Sequence, residues 1–191
     1  MKKIKYSVVA LIVVAVCVSI GYHFSYPIEL NMLTLPNHIS DFYNRGHSVK
    51  DSSAVVLFSG VGIGKNEYYM VEIGEDLGYV KLEKGLTGRY KISHLGYGDG
   101  NFRDGIIENN GKKYLLFCGR DITSQISKIT VLINGQTYEM DIPKATNHFF
   151  VYTEIDNHVE DKQVNRDHIN FYNDKAKDIT ELYNLSGGGI Q

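Results

Sequence analysis

Cysteine is scarce, with 2 residues in a chain of 191. Cys17 lies in an apolar segment near the N terminus and Cys118 far downstream, in a different environment. One cysteine outside that segment excludes an intramolecular disulfide framework, so the fold must rest on its core. A basic excess is missing too. Lys and Arg number 20 against 22 Asp and Glu, and Lys2, Lys3 and Lys5 precede the apolar segment. The chain beyond that segment is net acidic and carries no basic stripe, which leaves nucleic-acid binding without electrostatic support. Tryptophan is absent although 14 tyrosines are present. No repeat of fixed period and no low-complexity tract occurs.

The N terminus reads "MKKIKYSVVALIVVAVCVSIGYHFSYP". After the lysines, no charged residue occurs from Tyr6 to Tyr22. That is the layout of an n-region followed by an h-region. Two readings are open. One is a cleaved signal segment ending at Ser19-Ile20-Gly21, which would leave the protein secreted. The other is an uncleaved anchor. The run approaches the ~20 residues of a spanning helix and is long for an h-region, which favours the anchor. Residues 1–5 are then a cytoplasmic n-region and residues 6–23 the transmembrane helix. The flanking lysines set the N terminus inside, and Tyr22, Phe24 and Tyr26 suit the far interface. A lipidated Cys17 would want a small residue directly before it, and Val16 stands there.

Residues 24–53 read as a linker with one short helix. In "LPNHISDFYNRG", Pro36 suits a first turn, Ile39, Phe42 and Tyr43 share a face, and Gly46 can end the helix. From residue 54 the pattern changes to Val/Ile/Tyr/Phe runs punctuated by glycine or Asn-Gly, the signature of antiparallel β-structure. The expected strands are Ala54–Ser59, Glu67–Ile73, Tyr79–Lys84, Arg89–Leu95, Arg103–Glu108, Lys113–Cys118, Lys128–Ile133, Gln136–Ile142 and Phe149–Ile155. Asn110-Gly111 and Asn134-Gly135 predict type I′ hairpin turns. "INFYND" predicts another strand, "KAKD" a turn, and Ile179–Leu185 a short helix or strand. The fold class is thus mainly β (β-rich α+β): an antiparallel sheet domain over residues 54–185, with one or two short helices and the transmembrane helix ahead of it. Residues 186–191 are a flexible tail.

Several stretches of this frame resemble functional motifs. "GVGIGKN" suggests a phosphate loop, but Gly60 and Gly64 are too close for G-x-x-x-x-G-K-[ST], and Asn66 replaces the magnesium-binding Ser or Thr. A strand, not a helix, comes next, so the N-terminal helix dipole that holds an anion is missing. The glycines read as a hairpin bend with a bulge or close packing. "HVEDKQVNRDH" gathers His158, Glu160, Asp161, Asp167 and His168, a conceivable metal segment at no familiar spacing. Cys118 ends an apolar strand and reads as a small core residue. Arg120 and Asp121 read as a solvated ion pair in a turn. No G-x-S-x-G motif occurs, and the carboxylates paired at Glu75-Asp76 and Glu160-Asp161 are adjacent residues that face apart on an extended chain, so no catalytic residue and no cofactor site is assigned. "HLGYGDGNFRDG" reads as a long plain hairpin loop, with a mobile binding loop as the alternative. Tyrosine on strands offers contact area at low entropy cost, and the candidate interaction surface is Tyr68, Tyr69, Tyr97, Phe102 and Arg103.

The segments "GLTGRYKI", "KYLLFCGRD…ISKITVLINGQTYEMDIP…FFVYTEID" and "INFYNDKAKDIT" resemble small uncharacterised proteins of Gram-positive bacteria that have an N-terminal membrane anchor and one extracytoplasmic β-rich domain. The resemblance spans roughly Gly85 to Leu185. Ala176 stands where such sequences often carry glycine. The resemblance implies location and fold class and transfers no catalytic residue. The resulting expectation is a single-pass envelope protein that binds another envelope protein or an incoming toxin, in the manner of an immunity protein. The alternative is a small-molecule or metal-binding sensor that uses His94–Gly105 or His158–His168. A cell-wall hydrolase ranks last. The bilayer and a protein are the expected partners, and nucleic acid is not.

Overall fold

The computed structural model describes residues 2–45, 50–144, 146–161 and 163–183. Helix α1 is Lys2–Ser25. Its side chains are described for Val9 and from Leu11 onward. Among the described residues no helix is long and apolar enough to cross a membrane. Helix α2 is Leu35–Tyr43, with proline in its first turn as expected and Leu35 and Ile39 buried. Gly46 and the tail at 186–191 lie outside the described residues.

The rest is antiparallel β-structure in three sheets. The first is a meander of β1 (Val55–Ile63), β2 (Asn66–Ile73), β3 (Asp76–Lys84) and β4 (Tyr90–Gly98). The middle sheet holds β5 (Phe102–Asn109), β6 (Lys112–Arg120) and β9 (His148–Ile155), with β6 central. The outer sheet has the order β10 (Ile169–Tyr172), β7 (Lys128–Ile133) and β8 (Gln136–Asp141). Ile179–Leu185, expected as a helix or strand, contains one 3-10 turn at Thr180–Leu182, and 184–185 are outside the described residues.

Alternation of side chains explains how the layers stack. On one face of the first sheet, Val71, Ile73, Val80 and Leu82 pack with Leu35 and Ile39 of α2. On its other face, Ile63, Tyr68, Met70 and Leu77 meet Leu116, Cys118 and Phe150 of the middle sheet. Leu115, Phe117 and Phe149 point the opposite way, into a core shared with Ile129, Val131, Tyr138, Met140 and Phe171 of the outer sheet. Strand β6 is buried continuously from Leu115 to Gly119. Its unbroken apolar run is what a strand covered on both faces requires.

The turns follow the glycines. Asn110 and Gly111 have φ of 53° and 75°, and Asn134 and Gly135 have 50° and 79°, as type I′ turns need. In "GVGIGKN" a two-residue turn at Gly64 and Lys65 joins β1 to β2, with Gly64 at φ 63°. The register shifts between Leu57 and Gly60, which is a bulge. The expected loop from His94 to Gly105 is corrected. Strand β4 continues to Gly98, β5 starts at Phe102, and only Asp99, Gly100 and Asn101 lie between. Glycine there permits close strand approach, since Gly78 opposes Tyr97 across the ladder.

A Cβ on Gly78 would lie inside van der Waals contact of the Gly96 carbonyl oxygen, and backbone cannot move aside as a side chain can. Gly78→Ala should therefore destabilise the chain by about 1–3 kcal/mol, the usual cost of overpacking. A lowered urea midpoint checks this, and an unchanged midpoint would show that the β3–β4 ladder yields.

Candidate binding face on the outer sheet

The five residues expected to form an interaction surface do not form one. Tyr68 faces the middle sheet and is fully buried; Phe102 and Arg103 are buried as well. Tyr69 is half-buried on the α2 side, its ring over Gly60. Tyr97 is half-buried with its ring edge against Tyr43 at 4.9 Å. The reason is the stacking of the sheets. The faces that alternation would give to water are covered, so an outward tyrosine on β2 meets another layer.

Burial has electrostatic consequences. Arg103 donates from Nη1 to the Phe102 carbonyl at 2.6 Å and from Nη2 to the Asp99 carbonyl. Its guanidinium thus ties off the corner where the chain leaves the first sheet for the middle one. Its Nε and the Tyr68 hydroxyl, which lies beside Asn66, have no hydrogen-bond partner of good geometry among the described residues. The Tyr68 hydroxyl is pushed up to about 12 by burial. Cys118 is buried, as expected of a core cysteine, and burial pushes its thiol up to about 12. A thiol held so far above neutrality is not a nucleophile. His94 rests beside the Tyr79 ring at 5.6 Å, and burial lowers its pKa.

Arg120 and Asp121 are not a solvated pair. Arg120 Nε donates to Glu72 Oε1 at 2.5 Å, bridging the middle and first sheets, and Nη2 donates to the Glu75 carbonyl at 2.8 Å. The same Glu72 oxygen lies 3.1 Å from His148 Nε2, and the His148 ring stacks on Phe58 at 4.0 Å. Asp121 is buried and accepts from the Ile126 amide at 2.8 Å, the Tyr183 hydroxyl at 2.7 Å and Thr123 Oγ1 at 3.2 Å. Burial pushes the Tyr183 hydroxyl up to about 12. Asp121 thus fastens the chain after β6 to the segment after β10. No local signal in "GRDIT" foretells a partner 62 residues away.

The segment from His158 to His168 is pinned by buried Val159 and Val164, while His158, Glu160, Asp161, Asp167 and His168 are exposed. Among the described residues no group of three or more His, Cys, Asp or Glu is placed to hold a metal ion.

The face left open is the far side of the outer sheet. Thr130, Leu132, Thr137, Glu139, Asn170 and Tyr172 line a cleft of about 540 Å³ there. Lys128 and Glu139 close one side with a 3.0 Å ion pair, which at this exposure contributes at most about 1 kcal/mol. A second cleft of about 390 Å³ includes Asp121, Gln125, Lys144 and Thr146. Ser127, Asn173 and Asp174 border both. The ridge they share is the turn after β10, where Asn173 Oδ1 accepts from the Lys175 and Lys177 amides, each at 3.0 Å. Within it Ala176 has φ 56°, the left-handed region that suits glycine.

No protein-family model matches the chain, and no curated protein and no solved structure matches it.

Two measurements test this geometry. Ala176→Gly relieves left-handed strain by more than the added freedom of the unfolded chain costs, so it should stabilise by about 1 kcal/mol. An unchanged or lowered melting temperature would contradict the strained turn. The second concerns Asp104, which accepts from the Val164 amide at 2.8 Å. Burial raises its carboxyl above the usual carboxylate range, against the pull of that amide and of Arg166 and Arg103. The folded chain therefore holds this proton more tightly than the unfolded one. Stability from Asp104 is fully present below the ordinary aspartate pKa and is lost as pH rises through the raised value. In urea titrations from neutral pH down to about pH 4, the wild-type chain should gain stability relative to Asp104→Asn. Parallel profiles would place Asp104 in water.

Proposed function

We propose that this chain is a single-pass membrane protein, N terminus in the cytoplasm and β domain outside, and that the domain is a protein-interaction module of a protective, immunity-like kind at the cell envelope. The observation that carries this reading is α1. Its described aliphatic side chains, among them Val9, Leu11, Ile12, Val14 and Val18, are exposed on every side of the helix, as is Phe24. No other described part of the chain covers them. A helix that is apolar all round is stable only when buried, in a core or in lipid, and each buried Val or Leu contributes about 1.5–3 kcal/mol. The lysines at its start, Lys2, Lys3 and Lys5, supply the charge bias for an N-in orientation.

The second uncovered surface is the outer sheet, and it is where a partner protein is met. Its polar, Thr-rich face with Tyr172 and Leu132 offers an aromatic and an aliphatic anchor inside a hydrogen-bonding surround, the composition of a binding surface rather than of a core. A small molecule in the same cleft is the second reading, because about 540 Å³ falls in the usual range of ligand sites. Protease added to intact spheroplasts should digest the β domain, and the full chain should stay with the membrane in alkaline wash. Cross-linking in membranes should then recover one specific protein with the wild type and lose it with Leu132→Arg. Equal recovery from both would sink the proposed face. Recovery of nothing, with a thermal shift from a metabolite library, would favour the small-molecule reading.

A further inference from the structure

The last turn of α1 is joined to the domain by side chains, not by a slack linker. Tyr22 and Tyr26 stack at 4.9 Å. The Thr87 amide donates to the Tyr22 hydroxyl at 3.2 Å, and the Tyr26 hydroxyl donates to Glu83 at 3.4 Å. Arg89 Nε donates to the Tyr26 carbonyl at 2.9 Å, and the same guanidinium reaches the Pro27 carbonyl and Glu29. Lys91 lies over the Tyr26 ring at 5.0 Å.

The order of these contacts sets a direction. From Tyr26 back to Tyr22, toward the N terminus of α1, the partner moves from Glu83 out to Thr87 at the tip of the β3–β4 hairpin. The tip therefore points the way the helix comes from. Leu86 stands on that tip and is 95% exposed. Beyond α1, Ile28 and Tyr90 exchange both backbone hydrogen bonds, at 3.0 and 2.8 Å, in antiparallel sense. A segment antiparallel to β4 at Tyr90 runs on toward the same tip. It reaches the turn that holds Met32 and Leu33, exposed by 47% and 87%. These side chains cost free energy in water, and the contacts of Tyr22 and Tyr26 set the hairpin tip beside the end of α1.

We propose that Leu86, Met32 and Leu33 form an apolar foot seated in the headgroup–acyl boundary of the bilayer that α1 enters, holding the β domain against the membrane in one orientation. Arg89 and Lys91 lie on the hairpin beside Tyr26, at the level where lipid phosphates and aromatic side chains meet. Seating an apolar surface about 5–10 Å into that boundary is the depth such elements reach. The inference rests on reading α1 as the spanning segment.

The absence of tryptophan makes the test direct. Leu86→Trp, Leu33→Trp, Val14→Trp and Ile122→Trp each introduce a single fluorophore at an exposed position. The full-length variants are reconstituted in phosphatidylcholine–phosphatidylglycerol vesicles with ordinary or brominated acyl chains. Blue-shifted emission and bromine quenching are expected at 86, 33 and 14, and neither at 122, which lies in the loop between β6 and β7. Quenching at 14 but not at 86 and 33 would overturn the foot while leaving the anchor. No quenching at 14 would overturn the anchor and the foot together. A blue shift at 86 without bromine quenching would mean protein covers the tip, and would overturn the foot as well.

Discussion

The central strand of the middle sheet has no face for water from Leu115 to Gly119, and the remaining structure is arranged around that fact. Strand β6 lies between β5 and β9 and is buried from Leu115 to Gly119. Leu116 and Cys118 need the first sheet, and Leu115 and Phe117 need the outer one. Neither neighbour could be removed without exposing a row of large apolar side chains, each worth about 1.5–3 kcal/mol in burial. The three sheets are therefore one cooperative unit, although among the described residues none shares a hydrogen-bonded ladder with another.

Polar groups at the sheet boundaries fix how the layers sit. Apolar faces alone tolerate sliding, because the hydrophobic effect is non-directional. Glu72 receives Arg120 and His148 from two adjacent strands of the middle sheet, which sets one position of the first sheet over it. Arg103 ties off the corner between the same two sheets. Asp121 acts in the same way on the other side, joining the end of β6 to Tyr183. Leaving buried Asp121 or Arg103 without its partners would cost more than the contacts contribute, since an unpaired buried charge carries the full desolvation penalty.

The strands and turns were legible in the sequence because their signals are local. Asn-Gly at 110–111 and 134–135, β-branched runs and glycine spacing each act within a few residues. The helix over "LPNHISDFY" was legible for the same reason. The candidate surface was not. Alternation places Tyr68 and Tyr69 on opposite faces, which is correct, but it says nothing of whether either face meets water. Only the number of stacked layers decides that, and layer number is a long-range property. The run "YLLFCG" did carry a hint, since unbroken apolarity marks two-sided burial. It identified a strand that needed two neighbours without naming which sheets they were. Asp121 and Glu72 were illegible because their partners lie 62 and 48 residues away along the chain. The loop expected at His94–Gly105 failed for a different reason. Glycines there serve close approach between strands, and glycine looks the same in either role.

What the fold leaves uncovered is unevenly placed, and that bears on how it would act. At one end, apolar side chains surround α1 and Leu86 stands exposed on the tip of the β3–β4 hairpin, where Tyr22, Tyr26 and Arg89 join helix to sheet. At the other layer, the outer sheet offers Thr130, Thr137, Asn170 and Tyr172 around a cleft whose rim holds the left-handed Ala176. A slack tether would let that face point anywhere and would lower the chance of meeting a partner in the right orientation. A stem locked by two stacked tyrosines and a bidentate-capable arginine removes part of that orientational cost before any encounter, the advantage preorganisation gives to binding. The stiffness of the α1 junction and the openness of the outer sheet are thus linked. On the proposed reading, the first serves binding by holding the open face in one orientation, which retention at a membrane alone does not require.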